Sequence, residues 1–398
     1  MRQSVSDSND FRNAGFQKIV DGFLLHPGVS FASVLTAEKI AQIFRKHGGW
    51  FGENRIYNTA VVLWAFLGQV LRDGKEASCQ SAVASIISFC LQSGQDAPTE
   101  DTGDYCRARA KLSESAIREL STEIANDAEH LADDSWLWKR RHAKLVDGFT
   151  FTMPDTAKNQ AEFPHPRTQK KGVGLPIARS VVILSLATAM VMDVVLGPYK
   201  GKETGESALL RQMMNSLTAG DVVVFDRYYC SFMMIAQLLN QNVDVCARLH
   251  HLRHADFRKG RRLGKYDHII VWTMNLSYVR CKSPDMVRVE FRTTFLAYNL
   301  IRLTAASAAF RSDQKPRSIS FTSTCQFVLS GWAVHASGLM SDKALRRVCD
   351  QLLKRIAKCR VGNRPGRLEP RVIKRRRHGY PLRQKPRHVL QKRVRQSP

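Results

Sequence analysis

The sequence predicts an α/β protein: an all-helical N-terminal domain, then a sheet domain of alternating strands and helices, then a basic C-terminal arm. Three observations predict it. Capped helical patterns fill the chain up to about residue 132, and apolar β-rich runs alternate with helical stretches between 145 and 274. Positive charge concentrates at the C-terminal end.

The charge bounds the function first. Among 398 residues, 61 Lys or Arg face 35 Asp or Glu, a net of +26. A cation of that size seeks a polyanion, either nucleic acid or an anionic membrane surface. The most apolar stretch, VVILSLATAMVMDVVLG (181–197), is shorter than a spanning helix and carries Asp193, so it reads as buried strand. The opening MRQSVSDSNDFRN has no apolar signal core, and the expectation is a cytoplasmic protein without a membrane partner. Nine scattered cysteines, with no CxxC, indicate neither a disulfide framework nor a cysteine zinc site.

Taken in order, residues 1–34 read as a flexible arm. Helices are expected over 36–49, 58–74, 78–94 and 113–132; each opens on Ser, Thr or Asn, and glycine closes the first three. These make a helical domain over 35–140. LVDGFTFTM (145–153) alternates like a strand, and a polar loop runs from Pro154 to Pro176. Strand-like sequence returns at 179–197, and a helix is expected over 203–220. DVVVFD (221–226) reads as a strand, 230–242 as a helix, and 243–249 and 268–274 as further strands. HHLRHADFRKGRRLGKYDH (250–268) reads as a basic turn. Helices follow over 284–310 and 341–358, and the sheet domain is drawn over 141–345. In the arm, 346–398, prolines at 365, 370, 381 and 386 and the run Lys374, Arg375, Arg376, Arg377 argue for extended, solvated chain. Seventeen Lys or Arg stand between 354 and 398 against the single Glu369.

DVVVFDRYY carries the chemistry. Four apolar residues suit a strand buried on both faces, and Asp226 stands at its carboxyl end, where open α/β sheets gather function. Capping of the following helix is the competing role for Asp226. Asp147, in LVDGF, is a second strand-borne acid. Two such carboxylates on one sheet can converge on Mg²⁺ or Mn²⁺, which keeps open positions for phosphate oxygens and water. That is the chemistry of phosphodiester cleavage, and it suits a strongly basic protein.

In combination and order, LVDGFTFTMPDT, GPYKGKETGES, DVVVFDRYYCSF, RCKSPDMV, FLAYNLIR and NRPGRLEPRVIKRRR resemble the bacterial DDE transposases of the insertion-sequence-four family, from about residue 35 to the tail. The resemblance implies a ribonuclease-H-like catalytic fold with a β-rich insert, and Mg²⁺-dependent cutting and rejoining of element ends. It implies Asp147 as the first acid, Asp226 as the second, and Arg227 and Tyr229 as the flanking DNA-positioning residues. Double-stranded DNA, as terminal inverted repeats and target, is then the partner, the helical domain helps to bind it, and the setting is bacterial and nucleoid-associated.

The family's third acid is the Glu of a Tyr-x₂-Arg-x₃-Glu-x₆-Lys signature. Three residues beyond Tyr266, Tyr278 and Tyr298 stand Ile269, Cys281 and Ile301, so no tyrosine here begins it. HIIVWTM runs through NLSYV directly into RCKSP, which reads as an internal deletion interrupting the domain near 275–280. Glu290 is the nearest local acid and a weak third metal ligand. The alternative to an active enzyme is a DNA-binding transposase remnant that self-associates, or pairs with an intact transposase, and inhibits transposition.

Overall fold

The computed structural model describes residues 35–53, 55–72, 74–92, 94–166, 174–247, 281–335 and 342–361. The expected arm (1–34), basic turn (250–268), strand (268–274), interruption near 275–280 and Lys374–Arg377 lie outside the described residues. The chain is a mixed α/β protein with a five-stranded sheet and many helices. Two compact units are distinguished. One gathers the described residues of Met1–Trp136, Ala187–Val191 and Arg288–Gly362, the other those of Leu137–Leu186 and Met192–Val287. The described residues of 288–345, which the sequence reading grouped with the sheet, fall with the N-terminal helices.

The helical unit opens with α1 (Ala37–Lys46), α2 (Thr59–Val70), α3 (Cys79–Gln92), α4 (Gly103–Arg109) and α5 (Glu114–His130). Side chains of Thr36, Asn58 and Ser113 accept backbone N–H groups that the first turns of α1, α2 and α5 leave unpaired. Ten of the twelve residues of α2 are buried, so it is apolar all round and forms the centre of this unit. The remaining helices are α9 (Pro284–Phe310), whose first residues fall to the sheet unit, α10 (Phe321–His335) and α11 (Asp342–Lys358).

FLAYNLIR earns its place in this unit by packing. The amide of Asn299, fully buried, accepts the Val191 N–H at 2.9 Å and donates to Val191 O at 2.8 Å and to Ser121 O and Oγ at 3.2 and 3.1 Å. Beside it, the Tyr298 hydroxyl donates to Ala189 O and accepts from Arg302 Nε, each at 3.0 Å. Three segments remote in sequence are thus tied through one helix.

The second unit is the sheet. Its strands are β1 (Ala143–Thr152), β2 (Ile177–Ser185), β3 (Val191–Pro198), β4 (Val222–Phe225) and β5 (Asp244–Ala247), in the order β3-β2-β1-β4-β5. β1 runs antiparallel to β2 and parallel to β4, and β4 is parallel to β5. The strand-like stretch 179–197 is therefore two strands, β2 and β3. Three further helices belong here: α6 (Ala157–Glu162), α7 (Glu206–Arg211) and α8 (Phe232–Asn240), the last crossing over between β4 and β5.

Two departures from the sequence reading have local causes. α6 lies inside the expected loop because Thr156 Oγ1 caps it, accepting the Asn159 N–H at 3.1 Å. The helix expected over 203–220 shrinks to α7 and a 3₁₀ turn, Met214–Ser216. There the Ser216 hydroxyl donates to Asp193 Oδ2 at 2.8 Å and the Thr218 N–H to Asp221 Oδ2 at 2.9 Å, side-chain bonds that compete with helix.

Candidate functional site

The register of two parallel strands brings the predicted acids together. Val146 of β1 is partnered by Phe225 of β4, and the next residue on each chain is Asp147 and Asp226. Val146 and Phe225 are buried, while both aspartates are exposed. Adjacent parallel strands thus present two carboxylates beside one another, Asp226 just past the carboxyl end of β4.

Backbone donors fix each one. Gly148 N–H donates to Asp147 Oδ1 at 2.8 Å, and Tyr228 N–H donates to Asp226 Oδ1 at 2.8 Å. Asp147 is open to solvent on one side and crowded by protein on the other. That crowding raises its pKa, the Gly148 N–H opposes the rise, and the negative charge of Asp226 adds to it. Two carboxylates held this way favour any cation placed between them.

A third acid, which the sequence reading did not single out, joins them. Glu206 is the first residue of α7, and its carboxylate lies against the β1 backbone at Gly148. A Cβ at Gly148 would stand 2.4 Å from Glu206 Cδ and 2.8 Å from Oε1. Burial raises the pKa of Glu206; the Tyr229 hydroxyl and Arg179 oppose the rise, and Asp147 and Asp226 add to it. The loop before α7 is held by Arg179, whose Nη1 donates to Thr204 O at 2.9 Å, and by Thr204 Oγ1, which donates to Gly201 O at 3.1 Å. Gly201 takes φ +147°, a conformation that glycine alone adopts freely. In sequence, Glu206 looks like an ordinary first-turn acid; the glycine after Asp147, leaving room on β1, is the one signal that could have drawn attention to it.

Tyr229 is 1% exposed, and its hydroxyl makes no hydrogen bond of ordinary geometry. Burial first, then the charges of Glu206, Asp147 and Asp226, hold that hydroxyl strongly against ionisation. Arg227 and Tyr228 are exposed beside Asp226. Glu290 lies on α9, half-buried, and its residue belongs to the helical unit, not to the one containing the aspartates. Among the described residues, no group of three or more His, Cys, Asp or Glu stands close enough as placed to hold a metal ion. No described helix is long and apolar enough to cross a membrane.

A mixed sheet with two acids on adjacent parallel strands is accompanied by distant similarity to transposases. Transposase InsG for insertion sequence element IS4 of Escherichia coli (strain K12) is 23% identical over 253 residues, which cover 62% of this chain and 54% of InsG. Putative transposase InsZ of the same organism is 24% identical over 128 residues, 31% of this chain and 41% of InsZ. The chain spans about half the length of the curated relatives it matches. The cryo-EM structure of a piggyBac transposase synaptic complex with hairpin DNA is similar at a TM-score of 0.40 and 9% identity, over 85% of each chain. No family model matches the chain.

Proposed function

We propose that this chain is a transposase of a bacterial insertion sequence, of the insertion-sequence-four kind, acting on DNA through a ribonuclease-H-like domain. The adjacency of Asp147 and Asp226 across β1 and β4 carries the reading. Similarity to InsG and InsZ supports it, as does a sheet in which an antiparallel part is continued by two parallel strands.

The donor set fits a hard divalent cation. Asp147 and Asp226 offer carboxylate oxygens only, reach solvent, and repel one another when empty. They would hold Mg²⁺ or Mn²⁺, which, when bound, polarises phosphate oxygens and activates the attacking oxygen. Arg227, exposed next to Asp226, would neutralise a phosphate, and buried Tyr229 would support the turn that carries both residues. The reaction is attack of water on a phosphodiester at the element end, releasing a 3′ hydroxyl, then attack of that hydroxyl on a target phosphodiester. The basic arm, Lys374–Arg377 included, binds duplex DNA through phosphates.

A second reading, a DNA-binding remnant that inhibits transposition, is favoured by the missing Tyr-x₂-Arg-x₃-Glu-x₆-Lys signature. One assay separates them: strand cleavage of a duplex carrying the element end, with Mg²⁺ or Mn²⁺, beside Asp226→Asn. Cleavage that the substitution abolishes supports the enzyme. A salt-sensitive complex without cleavage supports the remnant.

A further inference from the structure

The basic residues of α11 differ from those of the first helices in what holds them. On α1 and α4, Lys39 reaches Glu123 at 3.0 Å, Arg45 Glu53 at 2.9 Å, Lys46 Glu119 at 2.7 Å and Arg107 Asp104 at 2.6 Å. On α11, Lys343, Arg347, Lys354 and Lys358 are exposed and make no ion pair among the described residues. We infer that this face of α11 is a docking surface for the phosphate backbone of duplex DNA, folded into the helical unit and distinct from the run Lys374–Arg377. This rests on DNA as the partner proposed above.

Three observations carry it. First, the four cations stand four, seven and four residues apart, steps that return to one face of a helix. From Lys343 to Lys358 the stripe runs about 22 Å, a length over which one strand of duplex carries about six phosphates. Second, Asp350, which lies in the same stripe, is paired with Arg311 from just beyond α9, so its charge does not offset the four. Third, the other side of α11 is committed to the core, with Cys349, Leu353, Ile356 and Ala357 buried. The helix end is fixed as well: Ser320 N–H donates to Cys359 O and Val361 N–H to Ser318 O, each at 2.7 Å. The spacing of the cations is therefore set before DNA arrives, and little remains to be ordered on binding. A helix that lies on a membrane needs a free apolar face, and that of α11 is already used.

The experiment is fluorescence anisotropy of a labelled duplex of arbitrary sequence, titrated with the full chain at several salt concentrations. Arg347→Gln/Lys354→Gln/Lys358→Gln is compared with Arg45→Gln/Lys46→Gln/Arg107→Gln, which removes the same charge from cations already paired. Exposed pairs of that kind contribute little to stability, and Gln keeps the helix propensity of Lys and Arg, so both variants should fold. The α11 variant is expected to bind more weakly and to flatten the slope of log affinity against log salt by about 2–3, at about 0.9 per phosphate contact. The other should leave the slope as it is. Gln351→Lys adds a cation to the same exposed face and should steepen the slope by about 0.9. It is read alone if the α11 triple variant does not fold. Slopes unchanged by the α11 substitutions overturn the surface and leave DNA binding standing. Equal flattening by both triple variants overturns it too, because net charge alone then sets the binding. A chain that binds no duplex overturns the DNA reading itself, and one that instead sediments with phosphatidylserine vesicles has an anionic membrane as its partner.

Discussion

The carboxylate of Glu206 occupies the place where a side chain on Gly148 would begin, 2.4 Å from Glu206 Cδ to the missing Cβ. Gly148→Ala therefore meets the end of a flexible side chain, not backbone. The expected cost is about 1 kcal/mol, at the low end for added volume in a packed place. In a Glu206→Ala background the cost should vanish, a coupling that a double-mutant cycle of unfolding free energies reads directly.

Tyr229 makes the opposite kind of prediction. Its ring is buried 5.7 Å from that of Phe225, while its hydroxyl lies against the Glu206 carboxylate without a hydrogen bond of ordinary geometry. Tyr229→Phe removes a desolvated polar atom and keeps the packing, so stability should hold or rise by up to about 1 kcal/mol. Tyr229→Ala should cost about 3–5 kcal/mol. A clear loss in Tyr229→Phe under chemical denaturation would show that the contact between the hydroxyl and Glu206 holds the fold together.

The pH dependence follows from two raised acids. Burial raises Asp147 and Glu206 above their unfolded values, so the fold binds these protons more tightly than the unfolded chain does. Their cost to stability is therefore complete at neutral pH, and it fades as pH falls through the raised values toward the ordinary carboxylate range near about 4. Glu119, lowered by Lys46 and His47, runs the other way, so the difference between variants is the clean readout. Metal-free Glu206→Gln should melt above the unaltered chain at pH 7, with the gap closing toward about pH 4.

Asn299 makes four hydrogen bonds through one buried amide. Asn299→Leu would leave the Val191 N–H and O and the Ser121 carbonyl without this partner in the interior. About 2–4 kcal/mol should be lost, measured by denaturant unfolding, with no direct effect on metal affinity.

Replacing Lys374, Arg375, Arg376 and Arg377 by Gln should weaken duplex binding at every sequence alike. Every phosphate left without its cation flattens the dependence of log affinity on log salt by about 0.9, so the slope should fall by up to about 3–4. Binding isotherms at several salt concentrations check this. An unchanged slope would remove the run from the interface.

Elements with strong periodicity were legible: α1, α2, α3 and α5 fall inside the stretches read as helices, and β1 and β4 lie where alternation and a continuous apolar run put them. α10 was not, because FTSTCQFVLSGWAVH mixes Thr, Ser and Gly into its turns and shows no clear apolar stripe. At the site, Asp147 and Asp226 could be named because each ends or interrupts an apolar strand. Their adjacency could not, since it depends on pairing between strands separated by two further strands and two helices. Glu206 stayed hidden because its environment is made by a glycine 58 positions earlier in the sequence.

The amide of Asn299 reaches back to Ser121 and to Val191, on either side of β1 and β2 in the sequence. As the chain is synthesised, α5 emerges well before α9, and its Ser121 must wait for a partner more than a hundred residues away, with the first strands of the sheet made in between. The helical unit is thus the first begun and among the last finished. Shortening the chain before residue 299 would release a set of helices unable to close, with their apolar faces presented to whatever binds unfinished proteins.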